Sequence, residues 1–159
     1  MPVIILSTQI AAPIERVFDL TRSIDAHVAS TRGSSERAVE GVTSGLIEAG
    51  QSVTWEARHF GVKQRLSVRI TQLQRPSFFE DEMISGAFRR MRHRHEFLAI
   101  ASGTLMTDHF DFAAPLGLLG RIAEFAFLTQ YMREFLQSRA QELKRIAESD
   151  EWRRYLRSA

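Results

Sequence analysis

Apolar and polar side chains change their spacing along the chain, and each spacing predicts a different element. The run VIILSTQI, residues Val3–Ile10, is rich in β-branched side chains and predicts a strand. In APIERVFDLTRS, Pro13 suits the first turn of a helix, and the apolar residues around Phe18 give that helix one apolar side. SIDAHVAS begins with Ser23, a suitable N-cap, and predicts a second short helix.

Between about residue 41 and Pro115, glycine and proline separate six runs of strand-forming composition. The runs are GVTSGLIEA, SVTWEARHF, VKQRLSVRITQL, FFEDEMIS, FRRMRHRHEFLAI and TLMTDHFDF. Strands interrupted by turn residues in this way predict an antiparallel meander. Together with the first strand, they give seven strands.

After Pro115 the period becomes helical, with one gap at Arg139–Ala140. The pattern predicts an amphipathic helix roughly 45 Å long, at about 1.5 Å per residue. Its apolar positions are Leu118, Ile122, Phe125, Thr129, Met132, Leu136, Leu143 and Ile146. A helix of this length needs a partner along its apolar side, and the curved antiparallel sheet is the natural one.

The segment FRRMRHRHEF, residues 88–97, has two very different faces if it is a strand. Successive side chains of a strand point to opposite sides. One face then carries Arg89, Met91, His93, His95 and Phe97; the other carries Phe88, Arg90, Arg92, Arg94 and Glu96. The apolar members predict that the odd-numbered face is interior and that the arginine row is outside.

The neighbouring run FFEDEMIS gives the arginine row a structural explanation. A three-residue loop at 85–87 sets Glu82 opposite Arg90 and Glu80 opposite Arg92. The same register sets Asp81 opposite Met91. Opposite charges across a strand pair stabilise the pair, so we predict a solvated, ion-paired outer face rather than a nucleic-acid surface.

The opposite face of the same strands predicts a pocket. A two-residue turn at 101–102 places His95 opposite Asp108 and His93 opposite Phe110. An apolar wall with a few polar groups is typical of small-molecule sites. The residues predicted to line it are Trp55, His59, Asp81, Met83, Met91, His93, His95, Asp108, Phe110 and Phe112.

Length and composition limit the possible classes of protein. The 159 residues contain 44% hydrophobic and 25% charged side chains, which predicts one globular domain over residues 1–148. Residues 149–159 form a basic, aromatic tail that we expect to pack on the domain, contact a partner or touch a membrane surface. A net charge of +2 argues against binding to nucleic acid or anionic membranes, and the absence of cysteine excludes disulfides and thiolate chemistry. No secretion signal or transmembrane run is recognisable, which predicts a cytoplasmic protein.

The order of elements resembles the helix-grip fold of the START-like, or SRPBCC, superfamily over nearly the whole chain. The segments that carry the resemblance are STQIAAPIERVFDLTRSID, SVTWEARHFGVKQRLSVRIT and GTLMTDHFDFAAPLGLLGRIAEFAFLTQYMREFL. The last of these is similar to the strand-to-helix passage of bacterial polyketide cyclase/dehydrase-like members, and coenzyme-Q-binding proteins belong to the same superfamily. The resemblance implies an α+β fold in which a seven-stranded curved antiparallel sheet wraps the C-terminal helix, with two short helices after the first strand. It also implies a cavity for an amphipathic molecule, lined in part by Phe125 and Met132 of the long helix.

The histidines of this pocket admit four readings. They are sheet histidines bonded to Asp81 or Asp108, groups that orient a ligand, metal ligands, or a general acid/base pair with Asp108. A His-x-His pair with a carboxylate suits zinc or iron, but the sequence identifies no third ligand, so we expect neither metal nor cofactor. His27 and Asp25, near the expected cavity mouth, are assigned to capping or packing.

Three functional hypotheses follow. The first is a module that binds a lipid-like, isoprenoid or polyketide-like ligand, without nucleic acid, as a monomer or weak homodimer. The second is an aromatase/cyclase-like enzyme that uses His93, His95 and Asp108. The third is a regulatory interaction protein whose cavity is filled by its own side chains.

Overall fold

A single antiparallel sheet and one long helix dominate the computed structural model, which describes residues 2–115, 117, 122 and 127–156. The strands follow one another in space in the order β1-β7-β6-β5-β4-β3-β2. They are β1 (Val3–Ile10), β2 (Arg37–Gly41), β3 (Ser52–His59), β4 (Val62–Gln74), β5 (Phe78–Gly86), β6 (Arg90–Ile100) and β7 (Gly103–Ala113). The helices are α1 (Ile14–Thr21), α2 (Ile24–Ser30) and α3 (Thr129–Glu148).

The inner face of the sheet and the helices share one hydrophobic core. Ile4 of β1, Phe18 of α1, Phe112 of β7 and Ile146 of α3 are all completely buried. Helix α3 packs on β1, α1 and α2, so the two short helices bridge the sheet and the long helix. The predicted α+β helix-grip arrangement, with seven antiparallel strands and two short helices after the first, is confirmed.

Local signals set the short helices as predicted. Ser23 caps α2, because its hydroxyl oxygen accepts a hydrogen bond from the Ala26 amide at 3.2 Å. Pro13 stands immediately before α1, where its missing amide costs no helical hydrogen bond. Asp25 accepts a hydrogen bond from the Gly45 amide at 2.8 Å, which confirms its assignment to local structure.

The second strand lies earlier in the chain than predicted. The run at 41–49 was expected to form it, but β2 is Arg37–Gly41 and the following residues form a loop. Gly41 and Gly45 have φ values of 76° and 75°, which take the backbone out of the extended conformation. The loop makes one isolated bridge, between Ser23 and Leu46.

The long helix is confirmed where the structure describes it. Met132, Leu136, Leu143 and Ile146 are buried as the helical period requires. At the gap in the pattern, the small side chain of Ala140 is buried as well. The predicted first turns, with Leu118 and Phe125, lie outside the described residues.

The hairpin between β5 and β6 differs from its predicted register by two residues. Glu82 lies opposite Arg92, Glu80 opposite Arg94 and Asp81 opposite His93. Pairing between β5 and β6 stops at Glu82 and Arg92, because the end of β5 beyond Glu82 pairs only with β4. A shift of two preserves the alternation of faces, so the inner and outer sets stay as predicted.

Phe88 is the one aromatic side chain that was assigned to the wrong side of this segment. It precedes β6, so strand alternation does not govern it. Its ring packs edge-on against Phe110 and Phe112, with centroids 6.1 and 5.5 Å away. Arg89, assigned to the inner face, is exposed for the same reason.

The arginine row is an ion-paired outer face, as predicted. Arg90 contacts Asp111 at 2.9 Å, and Arg94 contacts Glu96 at 2.7 Å. The Glu80 carboxylate lies 3.9 Å from Arg92 and 3.8 Å from Arg94. These acidic partners neutralise the row locally.

The C-terminal segment folds back on the domain over its described part. Asp150–Arg154 forms a short 3₁₀ helix, and Trp152 packs against the core under the guanidinium of Arg16 at 4.3 Å. Arg145 of α3 bonds Glu151 at 2.8 Å. Packing on the domain is therefore the arrangement adopted by residues 149–156.

Candidate functional site: a cavity between the sheet and helix α3

A cavity of about 290 Å³ lies between the inner face of the sheet and the side of α3 that faces it. Strands β3 and β4 supply aliphatic wall residues such as Val53 and Val68, and α3 supplies Met132 and Leu136. The alternation of each strand decides which of its residues reach this space. Most of the wall surface is apolar, although polar and charged side chains also line it.

Eight of the twelve predicted pocket residues line the cavity. They are Trp55, His59, Asp81, Met91, His93, His95, Phe110 and Met132. Phe125 lies outside the described residues.

Three predicted lining residues do not reach the cavity, although each lies on the inner side of the sheet. Phe112 is completely buried behind the ring of Phe88. Asp108 is buried behind the two imidazoles that it contacts. Met83 is half-buried where β5 pairs with Val68 of β4. Alternation gives the face of a residue but not its depth.

The polar centre of the cavity is built from three neighbouring strands. β7 places Asp108 directly opposite His95, and β5 places Asp81 directly opposite His93. The predicted pairing of His95 with Asp108 is confirmed. Four side chains therefore meet, and the two imidazole rings lie 3.9 Å apart between centroids.

Asp108 holds both imidazoles. Its Oδ1 lies 3.2 Å from His93 Nε2, in a hydrogen bond, and 2.6 Å from His95 Nδ1. The second contact is short but lacks hydrogen-bond geometry. On its other side, His95 Nε2 lies 3.8 Å from Asp81 Oδ1.

Burial and charge act in opposite directions on the two carboxylates. Burial alone would raise the pKa of Asp108, but the positive charge of His95 and the contacts with both imidazoles hold that pKa well below its usual range. Burial would also raise the pKa of Asp81. The contact with His95 and the charge of His93 outweigh this effect, so the pKa of Asp81 is lowered overall. Both carboxylates are thus kept ionised.

The two imidazoles separate in basicity. Burial, followed by the charge of His95, lowers the pKa of His93 to about 4. Burial also acts to lower the pKa of His95, but the charge of Asp108 and the close contacts with Asp108 and Asp81 outweigh it and raise that pKa. His95 therefore takes up a proton more readily than His93.

A second polar group, formed by His27 and Glu36, lines the cavity near Trp55. The imidazole stacks on the indole with ring centroids 3.9 Å apart, and its Nε2 lies 3.2 Å from Glu36 Oε2. Neither of these two atoms has a hydrogen-bond partner among the described residues. The assignment of His27 to packing alone was incomplete.

Arg139 is a cation in the cavity wall without a close partner. It forms no hydrogen bond and no ion pair with any residue that the structure describes. Its charge lowers the pKa values of His27 and Glu36, and it also acts on Asp81 and His95. The guanidinium therefore lies within electrostatic range of both polar groups.

Aromatic side chains surround the opposite part of the cavity. His59 Nδ1 and the Tyr131 hydroxyl share a hydrogen bond of 2.6 Å between β3 and α3. Phe60, in the β3–β4 turn, packs against the tilted ring of Tyr131 with centroids 4.5 Å apart and contacts Phe127. Phe60 and Phe127 are 53% and 60% exposed, so this part of the cavity wall reaches solvent.

Several lining residues were missed, and only some of them left a signal in the sequence. Arg139 stood at the interruption of the helical apolar pattern, which is where an inward charge should be sought. Tyr131 and Phe135 lie beside Met132 on α3, at a spacing of one turn. Glu36 precedes a short strand, and no periodicity identifies its direction.

The cavity also contains a set of residues suited to a metal ion. Asp81, His93 and His95 each offer one ligand atom, and these atoms lie within 4.8 Å of one another. The sequence had not identified the third ligand of this set, because the predicted register placed Asp81 opposite Met91.

Comparison with solved structures identifies the fold. TTHA0849 from Thermus thermophilus superposes with a TM-score of 0.75 at 19% identity, over 91% of this chain and 95% of that one. CV1439 from Chromobacterium violaceum superposes with a TM-score of 0.74 at 16% identity, over 94% of this chain and 100% of that one. Major latex-like protein 151 from Panax ginseng superposes with a TM-score of 0.69 at 14% identity, over 93% of this chain and 98% of that one. The chain therefore has the helix-grip fold.

Sequence comparison adds no closer relative. No protein-family model matches this chain, and no curated protein matches it. At the identities of the structural matches, only the fold is established, and membership of the cyclase/dehydrase-like subgroup stays a prediction. Within the described residues, no helix has the length and apolar character needed to cross a membrane.

Proposed function

We propose that this START-like protein binds one amphipathic small molecule in the cavity between the sheet and α3. The apolar body of the ligand lies along the wall formed by residues such as Val53, Val68 and Met132. Its polar end faces Arg139 and the imidazoles. Because about 290 Å³ is at the low end of the range for small-molecule pockets, a modest lipid-like, isoprenoid or polyketide-like molecule fits better than a two-chain lipid.

The observation that carries this proposal is a set of polar groups in a mainly apolar cavity whose hydrogen-bonding capacity is not used. His27 Nε2 and Glu36 Oε2 lie 3.2 Å apart, but neither atom makes a hydrogen bond among the described residues, and Arg139 faces the same space. A buried polar group without a partner costs about 1–3 kcal/mol. A ligand with oxygen atoms at one end would offset that cost.

Arg139 also indicates the chemistry of the polar end. A guanidinium without a close acidic partner favours a carboxylate, a sulfonate or a strongly polarised carbonyl. The ionised Asp81 and Asp108 disfavour an anion placed directly on the imidazole cluster. The acidic end is therefore expected beside Arg139.

Two fluorescent probes that differ in charge test this proposal. Anilinonaphthalene sulfonate carries an acidic group, and N-phenylnaphthylamine is its neutral relative. We expect both to bind the parent protein saturably. Arg139→Gln should weaken binding of the sulfonate about tenfold, the loss of one charge-assisted hydrogen bond, and leave the neutral probe within about twofold.

Arg133→Gln is the matched control, because Arg133 lies on the same helix outside the cavity. It should change neither dissociation constant. If both variants bound the sulfonate equally weakly, the effect would come from the overall charge of the protein and not from a contact with Arg139. Absence of saturable binding of either probe to the parent would contradict the proposal as a whole.

A catalytic role is the second candidate, and one observation favours it. His93 and His95 line the cavity and share Asp108, an arrangement that suits proton transfer to or from a bound molecule. Turnover of a polyketide-like substrate that disappears in His93→Gln, with ligand binding retained, would establish it. Unchanged turnover in that variant would exclude this role for His93.

The cavity weighs against the third hypothesis, a protein whose interior is filled by its own side chains. About 290 Å³ of open space remains between the sheet and α3. A cytoplasmic location and a monomeric or weakly dimeric state stay predictions from the sequence.

A further inference from the structure

We infer that Asp81, His93 and His95 form a binding site for a divalent transition-metal ion that is open towards the cavity. This inference does not depend on the proposed amphipathic ligand. It rests on three features of the polar centre: the donor set, the carboxylate behind it and the burial of its charges.

The donor set has the composition of a metal site with an open position. Two imidazoles and one carboxylate bind zinc in hydrolytic sites and iron in mononuclear sites, and three protein ligands leave further positions for water or substrate. All three side chains line the cavity, so a free position on the ion would face it.

The strands hold these ligands in place with little freedom. Asp81 and His93 are directly paired across β5 and β6, and His95 lies two residues further on the same face. Their ligand atoms lie within 4.8 Å of one another. Metal bonds of about 2.1 Å require separations nearer about 3.3 Å, so an ion would draw the three side chains slightly together.

Asp108 completes the arrangement from the third strand. Metal-binding imidazoles usually donate their remaining ring N–H to a carboxylate, which fixes the ring and its tautomer. Asp108 contacts His93 through Nε2 at 3.2 Å and His95 through Nδ1 at 2.6 Å. These contacts leave His93 Nδ1 and His95 Nε2 for the metal, and His95 Nε2 is the atom that faces Asp81 at 3.8 Å.

Charge also favours a cation at this point. Asp108 and the two imidazoles are buried, and the side chain of Asp81 is 13% exposed. Imidazoles are neutral as metal ligands. A divalent ion with Asp81 and Asp108 gives a neutral unit, so its burial carries a small electrostatic cost. Arg139 is the nearby cation of the cavity wall, and it forms no ion pair with either carboxylate.

Metal binding is measured on the purified protein stripped with chelator and then titrated with Zn²⁺ and Co²⁺. We expect one ion per chain by calorimetry and elemental analysis, with the visible Co²⁺ spectrum of a site containing nitrogen ligands. Asp81→Asn, which nearly preserves side-chain shape, should weaken Zn²⁺ binding more than about 100-fold. Asp108→Asn should weaken it about 10- to 100-fold, because Asp108 acts through the imidazoles.

Two histidine variants serve as controls. His59→Ala removes a cavity imidazole outside the set, and His109→Ala removes one on the outer face. Both should bind Zn²⁺ like the parent, and circular dichroism confirms that every variant is folded. The inference is wrong if the parent binds no stoichiometric ion, or if Asp81→Asn binds as tightly as the parent. Loss of ligation in the His109→Ala variant would also overturn it, because the ion would then bind at the surface.

Discussion

Single residues decide the electrostatics of this protein on both faces of the sheet. On the inner face, the carboxylate of Asp108 contacts two imidazoles. On the outer face, the carboxylate of Glu56 contacts three cationic side chains. The Glu56 side chain is only 5% exposed, and it contacts Arg37 at 2.5 Å, Lys63 at 3.1 Å and Arg65 at 3.1 Å. Hydrogen bonds from Arg37 and Lys63 lower the pKa of Glu56 from 4.5 to about 2.

This shift predicts a pH-dependent contribution to stability. A carboxyl with a lowered folded-state pKa stabilises the fold fully above its unfolded-state pKa of 4.5 and loses that effect as pH falls towards about 2. Glu56→Gln should therefore lower the free energy of unfolding near neutral pH, and the difference from the parent should shrink at about pH 3. Urea denaturation at both pH values measures this. Glu134→Gln, an exposed change on α3, is the control, and an equal effect in both variants would refute the assignment to Glu56.

Sequence alone predicts the direction of a residue better than its partners. Alternation placed His93, His95 and Trp55 on the inner face correctly, because a period of two follows from strand geometry. It did not place Phe88, which precedes the strand, or pair Asp81 with His93. Both depend on the length of the β5–β6 connection, which the turn residues of the sequence did not fix.

At the scale of elements, helix α3 is held by packing on the sheet and the short helices. Its apolar positions recur at the helical period and are buried at Met132, Leu136, Leu143 and Ile146. Periodicity of this kind is readable from the sequence, because every turn must present the same side to the core. The interruption of this pattern at Arg139 is visible in the sequence, but the role of its charge depends on what faces the helix across the cavity.

The packing of α3 predicts that shortening a buried side chain in its last turn destabilises the protein strongly. Ile146 is completely buried, so Ile146→Ala should lower the free energy of unfolding by about 2–5 kcal/mol, through lost burial and the space left behind. Leu98→Ala on β6 is the matched control, because Leu98 is 61% exposed, and it should change stability by less than about 0.5 kcal/mol. Equal effects in urea denaturation would contradict the packing described for α3.

The β6–β7 turn shows why one hairpin was predicted correctly. Gly103 has a φ of 136°, and a Cβ at this position would collide with the Ile10 carbonyl oxygen, so only glycine fits. A glycine directly after a two-residue turn fixed the register of His95 with Asp108. Gly86 at the end of β5 is crowded in a similar way, but by Arg65 and Leu66 of β4, so it does not fix the register of β5 with β6.

At the scale of the whole molecule, the seven strands and α3 enclose a space that none of them could form alone. The sequence predicted this enclosure through the order of its elements and its resemblance to START-like proteins. The volume and the distribution of polar groups depend on how side chains from several elements fill the interior. They became known only from the structure, and they carry the proposed function.

Native mass spectrometry of the protein purified from the organism that encodes it, followed by solvent extraction, tests the central claim most directly. We expect a fraction of the chains to carry one non-covalent adduct of a single small, amphipathic compound. Ala57→Phe, which fills the cavity, should lack the adduct, and Ala99→Phe, a change of equal size at an exposed position near the end of β6, should keep it. A bare chain mass in the parent, or an adduct that persists in folded Ala57→Phe protein, would contradict a ligand held between the sheet and α3.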